Sequence, residues 1–331
     1  MTELWGTLLA DGPLRTVTLR HEYSATPADV WDAVTSPDRI ERWLGPVQMN
    51  GDEYVLQMRA DVPAVSGKIV ECAAPQRLVV SWNFRGEPPS EIDVRIEPTS
   101  SGSMLTFTQS QVEAIEASSR GAGWQHYLSE LAGVLGEPVE QQDWDGMRAS
   151  YRTMEAALVA ADLGTEPGGW TVSLDRLLDA EPAEVWSALT EPDRIGRWLW
   201  PVVEWPDDPA RQRPLELGDR FSLGDANVEE AKRSFEVLAM DPGRRMVVRW
   251  GAVGAEVAFE VEPTTDGTVL RLRQSAAPDV VAQGTLRSGP DFAAGWHAVV
   301  DMLVLLLQRH DPHDQPADGE LWEAAYRVYS A

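Results

Sequence analysis

Two glutamines in this 331-residue chain stand where binding chemistry would be placed. Gln109 closes the row Leu105, Phe107, Gln109, and Gln274 closes the row Leu270, Leu272, Gln274. Side chains two apart on a strand share a face, so each amide ends an apolar row. A buried amide needs hydrogen-bond partners; it can orient a ligand in an apolar pocket, or satisfy a backbone group near a loop. The five histidines are weaker candidates. His126 and His297 lie just past Trp124 and Trp296 but one step out of alignment, because Gln125 matches His297. A catalytic histidine common to both regions would not shift; a role for His297 in one of them stays open. His310-x-x-His313 offers two nitrogens without a third ligand, so no metal is expected, and no cofactor. Gly121-Ala122-Gly123 reads as the opening of a helix but lacks the third spaced glycine and a strand leading into it. Cys72, among alanines near a strand end, reads as a small hydrophobe.

Tryptophan supplies the remaining candidates. Trp31, Trp124, Trp186 and Trp296 fall where amphipathic helices would meet a sheet, and packing explains them. Trp43 and Trp198 end short helices that would rim a cavity mouth, where stacking on a ligand competes with packing. Trp200 and Trp205 enrich that rim only in the second half, where Trp200 stands in place of Gly45. Trp82 and Trp250 end strands whose inward rows are Leu78, Val80, Trp82 and Met246, Val248, Trp250. The candidate cavity lining is therefore Trp43, Trp82, Gln109, Trp124, Trp198, Trp200, Trp250, Gln274, Trp296 and His297. Arg249, in place of Ser81, is a solvated charge if it keeps its outward strand position; a bulge turning it inward would make it a carboxylate binder.

The elements that position these residues occur twice. The segment from Val30-Trp31 through Pro37-Asp38-Arg39-Ile40 to Arg42-Trp43-Leu44 returns as Val185-Trp186 through Pro192-Asp193-Arg194-Ile195 to Arg197-Trp198-Leu199. Trp82, Glu97-Pro98, Gln109-Ser110 and Gly123-Trp124 recur as Trp250, Glu262-Pro263, Gln274-Ser275 and Gly295-Trp296, and Trp144 and Tyr151 recur as Trp322 and Tyr329. Two copies are expected, 1–163 and 164–331, divided in the Gly- and Pro-containing stretch from Leu163 to Gly169. In the first, residues 15–24 alternate as a strand, and Thr26 caps a helix opened by Pro27. Pro37 opens a second, short helix. Alternating segments around Leu78, Ile92 and Leu105 follow as a one-sided antiparallel sheet. Trp124, Tyr127, Leu128, Leu131 and Leu135 then form a helical stripe, repeated as Trp296, Val299, Val300, Leu303 and Leu307. A last amphipathic helix carries Trp144, Met147, Tyr151, Met154 and Leu158.

Composition narrows the partners. With 28 Lys+Arg against 53 Asp+Glu the formal charge is −25, and only Lys68 and Lys232 are lysines. No basic face is available to displace counterions from phosphates, so nucleic acid is not an expected partner. The same charge disfavours an anionic membrane surface, and the apolar run from Val299 to Leu307 is interrupted by Asp301 and too short to span a bilayer. One cysteine and no signal-like opening segment lead to the expectation of a reducing cytoplasm.

The stretch Ala28-x-Val30-Trp31-x-Ala33-x-Thr35-x-Pro37-x-Arg39-Ile40-x-Arg42-Trp43, the Gly67–Trp82 segment with Pro75, and the Gly123-Trp124 helix resemble the SRPBCC superfamily (START-like, Bet v 1-like). The resemblance is narrower to its branch of homologues of the activator of the heat-shock protein 90 ATPase, and it covers nearly the whole chain, twice. It implies an α+β fold of two tandem helix-grip domains, each a curved antiparallel sheet wrapped around a long C-terminal helix, with an internal cavity. It leaves three functions open. These are binding of a small apolar or amphipathic molecule with the two copies unequal, a cyclase, aromatase or hydrolase acting on a hydrophobic molecule, and a chaperone-associated or other protein-interaction module.

Overall fold

The computed structural model describes residues 3–58, 60, 62–84, 87–139, 142–166, 169–206, 213–224, 233–251, 254–276, 289–308, 310 and 318–330. The chain divides into two compact units, Met1–Leu158 and Val159–Ala331. In the first, strands β1 (Gly6–Asp11) and β2 (Leu14–Tyr23) precede helices α1 (Pro27–Thr35) and α2 (Pro37–Ile40). Strands β3 (Val47–Asn50), β4 (Glu53–Leu56), β5 (Val65–Ala73), β6 (Arg77–Trp82), β7 (Ser90–Pro98) and β8 (Ser103–Glu113) follow, then α3 (Ala114–Val134) and α4 (Trp144–Leu158). The second unit repeats the order as β9 (Asp162–Glu166), β10 (Gly169–Leu178), α5 (Pro182–Thr190), α6 (Pro192–Trp198), β11 (Val202–Glu204), β12 (Arg220–Leu223), β13 (Arg233–Asp241), β14 (Arg245–Trp250), β15 (Ala255–Thr264), β16 (Gly267–Ala276), α7 (Gly289–Leu307) and α8 (Asp318–Tyr329). Each unit builds one eight-stranded antiparallel sheet, ordered β1-β2-β8-β7-β6-β5-β4-β3 and β9-β10-β16-β15-β14-β13-β12-β11. This is the α+β helix-grip architecture, twice.

Local chemistry explains these elements. Pro27 occupies the first turn of α1, and the Thr26 hydroxyl accepts from the Asp29 N–H at 3.3 Å, capping a helix that buries Val30, Ala33 and Val34. On the sheet Ile92, Val94 and Ile96 alternate inward beside Leu105 and Phe107, while Glu91 and Glu97 face solvent. Trp124, Leu128 and Leu131 of α3, and Trp296, Val300 and Leu303 of α7, are buried. By length and composition α7 could cross a membrane, but most of that length is buried inside the unit.

Four features differ from the sequence reading. The unit division falls after Leu158, ahead of the Leu163–Gly169 stretch, because Asp162–Glu166 pairs with β10 as a strand. Neither β1 nor β9 was anticipated; β1 is an edge strand with only Gly6 and Leu8 buried, too weak an alternation to stand out. Helix α3 begins at Ala114, so Gly121-Ala122-Gly123 lies inside it rather than opening it. Gly121 serves packing: a Cβ there would sit 2.6 Å from the Tyr151 ring, so its absence lets α4 close on α3. Finally, Cys72 is exposed on β5 rather than packed in an apolar environment.

Candidate functional site

Both glutamines are buried on the inward face, 1% exposed, and each opposes a valine on the neighbouring first long strand, Val17 or Val172. In the first unit both ends of the amide are used. The Trp124 indole N–H donates to Gln109 Oε1 at 2.6 Å, and Gln109 Nε2 donates to Ser90 Oγ at 2.9 Å. The second unit repeats only half of this. Trp296 Nε1 donates to Gln274 Oε1, whereas Gln274 Nε2 has no partner among the described residues. The register supplies the cause: Trp82 opposes Ser90, and Trp250 opposes Ala255, so the second unit lacks the hydroxyl. Ser90→Ala would leave Gln109 in the same condition. It is expected to cost the first unit about 1–3 kcal/mol, the penalty of an orphaned buried donor, read as a lowered denaturation midpoint.

Beside this amide the second unit holds a small apolar cavity of about 10 Å³, walled by Ile195, Trp198, Phe221, Phe235, Phe259 and Trp296 among others. That volume is about the room of one water molecule. Trp296 joins the two features, since its ring lines the cavity and its N–H holds Gln274. Trp198 is fixed there by a 2.8 Å bond from its N–H to Ala188 O, as Trp43 is fixed in the first unit by a 3.0 Å bond to Ala33 O. Both are buried packing residues, and Trp198 is in addition cavity wall. Trp200 is half-buried, with the Arg233 guanidinium 4.2 Å from its ring centroid and the Trp250 ring at 5.8 Å. Trp205 packs on Phe221 with the rings tilted, 5.5 Å between centroids, and donates to Arg213 O. In the first unit Trp82 meets Trp124 at 5.1 Å, edge to face.

Phe221 and Phe235 were not among the sequence candidates, although they oppose each other across β12 and β13 with rings stacked at 5.1 Å. Their alternation with Leu223 and Val237 was the available signal. Trp170, stacked on Phe292 at 4.5 Å, was also missed.

His297 is not part of the cavity wall. Its Nδ1 lies 2.9 Å from the Tyr329 hydroxyl on α8, and its Nε2 lies 3.6 Å from Asp301, which pairs with the buried Arg176. The Ala161 N–H donates to that hydroxyl, and the Asp301 carboxylate near Nε2 favours the tautomer with its proton on Nε2, which leaves Nδ1 to accept from Tyr329. Gln125 occupies the matching place in the first unit and accepts from Tyr151 Oη at 2.9 Å. Both residues therefore join the long helix to the last one. Burial pushes the His297 pKa down to about 4, with Asp301 opposing and Arg176 reinforcing the shift. Arg249 remains outward, 48% exposed, between Glu236 and Glu256. His126 is exposed, with its ring near that of Trp144. His313 lies outside the described residues, among which no three His, Cys, Asp or Glu side chains gather as metal ligands.

No curated protein matches the chain. Among solved structures, CalU16 from Micromonospora echinospora is 25% identical over 46% of this chain and 97% of its own, with a TM-score of 0.39. DynU16, from the dynemicin biosynthetic locus, is 18% identical over 88% of this chain and 98% of its own, at 0.36. EF2215 from Enterococcus faecalis is 14% identical over 54% of this chain and 95% of its own, at 0.41. The family model of activator of Hsp90 ATPase homolog 1-like proteins matches residues 24–136 and again 179–308. With both matched segments covering most of the sequence, this chain belongs to the activator of Hsp90 ATPase homolog 1-like family and carries that family's domain twice.

Proposed function

We propose that the protein binds a small apolar molecule in the second unit, with the first unit as an unequal, more fully satisfied copy. The observation that carries this reading is the aromatic cavity walled by Trp198, Phe221, Phe235, Phe259 and Trp296, with the half-satisfied amide of Gln274 bonded to one of its walls. Apolar walls with one directed polar group are the usual composition of a small-molecule site. Every lining side chain is apolar or tryptophan, so the wall offers no group to take up or release a proton, which favours binding over acid–base catalysis. At about 10 Å³ the cavity is closed around its own side chains, and a ligand enters by moving the Trp198–Leu199 end of α6 away from the sheet. A reducing cytoplasmic setting suits the single free thiol.

Titrating the full chain with a graded panel of aromatic and aliphatic compounds should give saturable quenching or a shift of tryptophan emission. The amplitude should fall in Trp198→Phe. A flat response across the panel overturns the reading.

A further inference from the structure

On the inward face of the second unit's sheet, the buried polar side-chain atoms left without partners among the described residues share one chemical sense. They are Gln274 Nε2, Trp250 Nε1, Trp170 Nε1 and, further along the same face of β10, Arg176 Nε and Nη2; all are N–H donors, and the first three form one group. The amide cannot be turned to present its oxygen instead. Trp296 Nε1 is a donor only, so it fixes Oε1 toward itself and leaves Nε2 free. The three lie together: Trp170 is two residues from Val172, which opposes Gln274; Trp250 opposes Ala255, two residues from Val257, which also opposes Gln274. Both indoles pack on Phe292, at 4.5 and 6.3 Å between ring centroids.

In the first unit two of the three donors are eliminated by separate substitutions. Ser90 accepts from Gln109, and the counterpart of Trp170 is Arg15, bound to Glu155. Of the three counterparts, Trp82 Nε1 alone stays without a partner; the other unpartnered atoms described in that unit, Arg120 Nε and the Gln142 amide, stand at none of the matching positions. An orphaned buried donor is destabilising unless something occupies it, and here Gln274 Nε2 belongs to the amide that holds the cavity wall Trp296, with the Trp250 ring 6.5 Å from that of Trp296.

Resting on the reading of the second unit as an apolar-ligand site, we infer that its ligand is an apolar ring compound bearing a hydrogen-bond acceptor oxygen, such as a ketone, which Gln274 Nε2 receives. Trp250 and Trp170 offer further N–H groups to a second acceptor on the same molecule.

Acetophenone and ethylbenzene are a matched pair for the test, alike in shape and differing in the carbonyl. Their dissociation constants for the full chain are measured by equilibrium dialysis, and the readout is the ratio of the two. Ala255→Ser supplies the hydroxyl that occupies the corresponding amide in the first unit, and should move the ratio about tenfold toward ethylbenzene, the equivalent of one hydrogen bond to a buried donor. Gln274→Met should move it the same way, and serves if the serine variant does not fold. If both probes bind but neither variant moves the ratio by more than about twofold, the acceptor assignment is overturned and apolar binding stands. If neither probe binds the native chain, both are overturned.

Discussion

Glu155→Ala is expected to cost the first unit about 3–5 kcal/mol, the largest effect of any single surface-to-core contact in it. Arg15 is 2% exposed and Glu155 13%. Arg15 Nε donates to both carboxylate oxygens at 2.9 and 2.8 Å, Nη2 donates to Oε1 at 2.7 Å, and Nη1 donates to the carbonyl of Leu14 at 2.8 Å. This bidentate pair ties β2 to α4. Removing the carboxylate strands a guanidinium that cannot shed its proton, so the charge must be solvated by separating helix from sheet. The pair need not be net stabilising to produce this loss, since desolvating both ions offsets much of their attraction. Arg15→Met combined with Glu155→Met should therefore recover most of the stability, as the second unit indicates by placing apolar Trp170 against Phe292 at the corresponding strand position. Amide hydrogen exchange of β2 and α4 in the full chain reads the effect locally. A loss below about 1 kcal/mol in the single variant would show that the pair is solvated and that the guanidinium is not stranded without it.

Arg15 also shows where the sequence was legible and where it was not. The repeat, both glutamines and the inward rows ending on them were readable, because period-two alternation and duplication are properties of residue type alone. What an amide touches is not such a property. Gln109 and Gln274 look identical in their own strands, and their difference lies across the sheet at Ser90 and Ala255, on the partner strand of a hairpin with the same register in both units, a contact that no single strand's pattern displays. Arg15 stands in phase with the buried Val17 and Leu19, but in a chain of net charge −25 a charged residue at a strand start reads as surface, and nothing in the sequence singles it out. Phe221 and Phe235 were lost for a related reason: β12 is only four residues long, too short for its alternation to be separated from a loop. His297 was legible as a one-copy residue, but its role depends on Tyr329 of α8, which no local pattern connects to it.

That contact makes the second unit acid-sensitive in a way the first is not. His297 has its pKa pushed down to about 4 in the fold, against an ordinary value near 6.5, so the unfolded chain binds the proton more readily than the native one. Between those values the proton therefore favours unfolding: the stability is complete above about pH 6.5 and is lost as pH falls toward 4. From pH 7 to 5 the loss attributable to this residue is about 2 kcal/mol. Burial is the main cause; Asp301, 3.6 Å from Nε2, partly opposes it, and Arg176, held by Asp301 at 2.5 Å, adds to it. The Tyr329 hydroxyl contributes no compensating negative charge, because its own burial keeps it protonated. His297→Gln is the informative variant, since Gln125 already accepts the matching tyrosine hydroxyl in the first unit and an amide has nothing to titrate. Urea denaturation of the full chain at pH 7 and pH 5 should show the native protein losing about 2 kcal/mol more than the variant, with the two nearly equal at pH 7. The comparison is made at pH 5 because most carboxylates remain ionised there and cancel between the two proteins. Parallel losses in both would mean that the imidazole reaches water and protonates freely, and with that the buried link from α7 to α8 would fail as the source of the pH dependence.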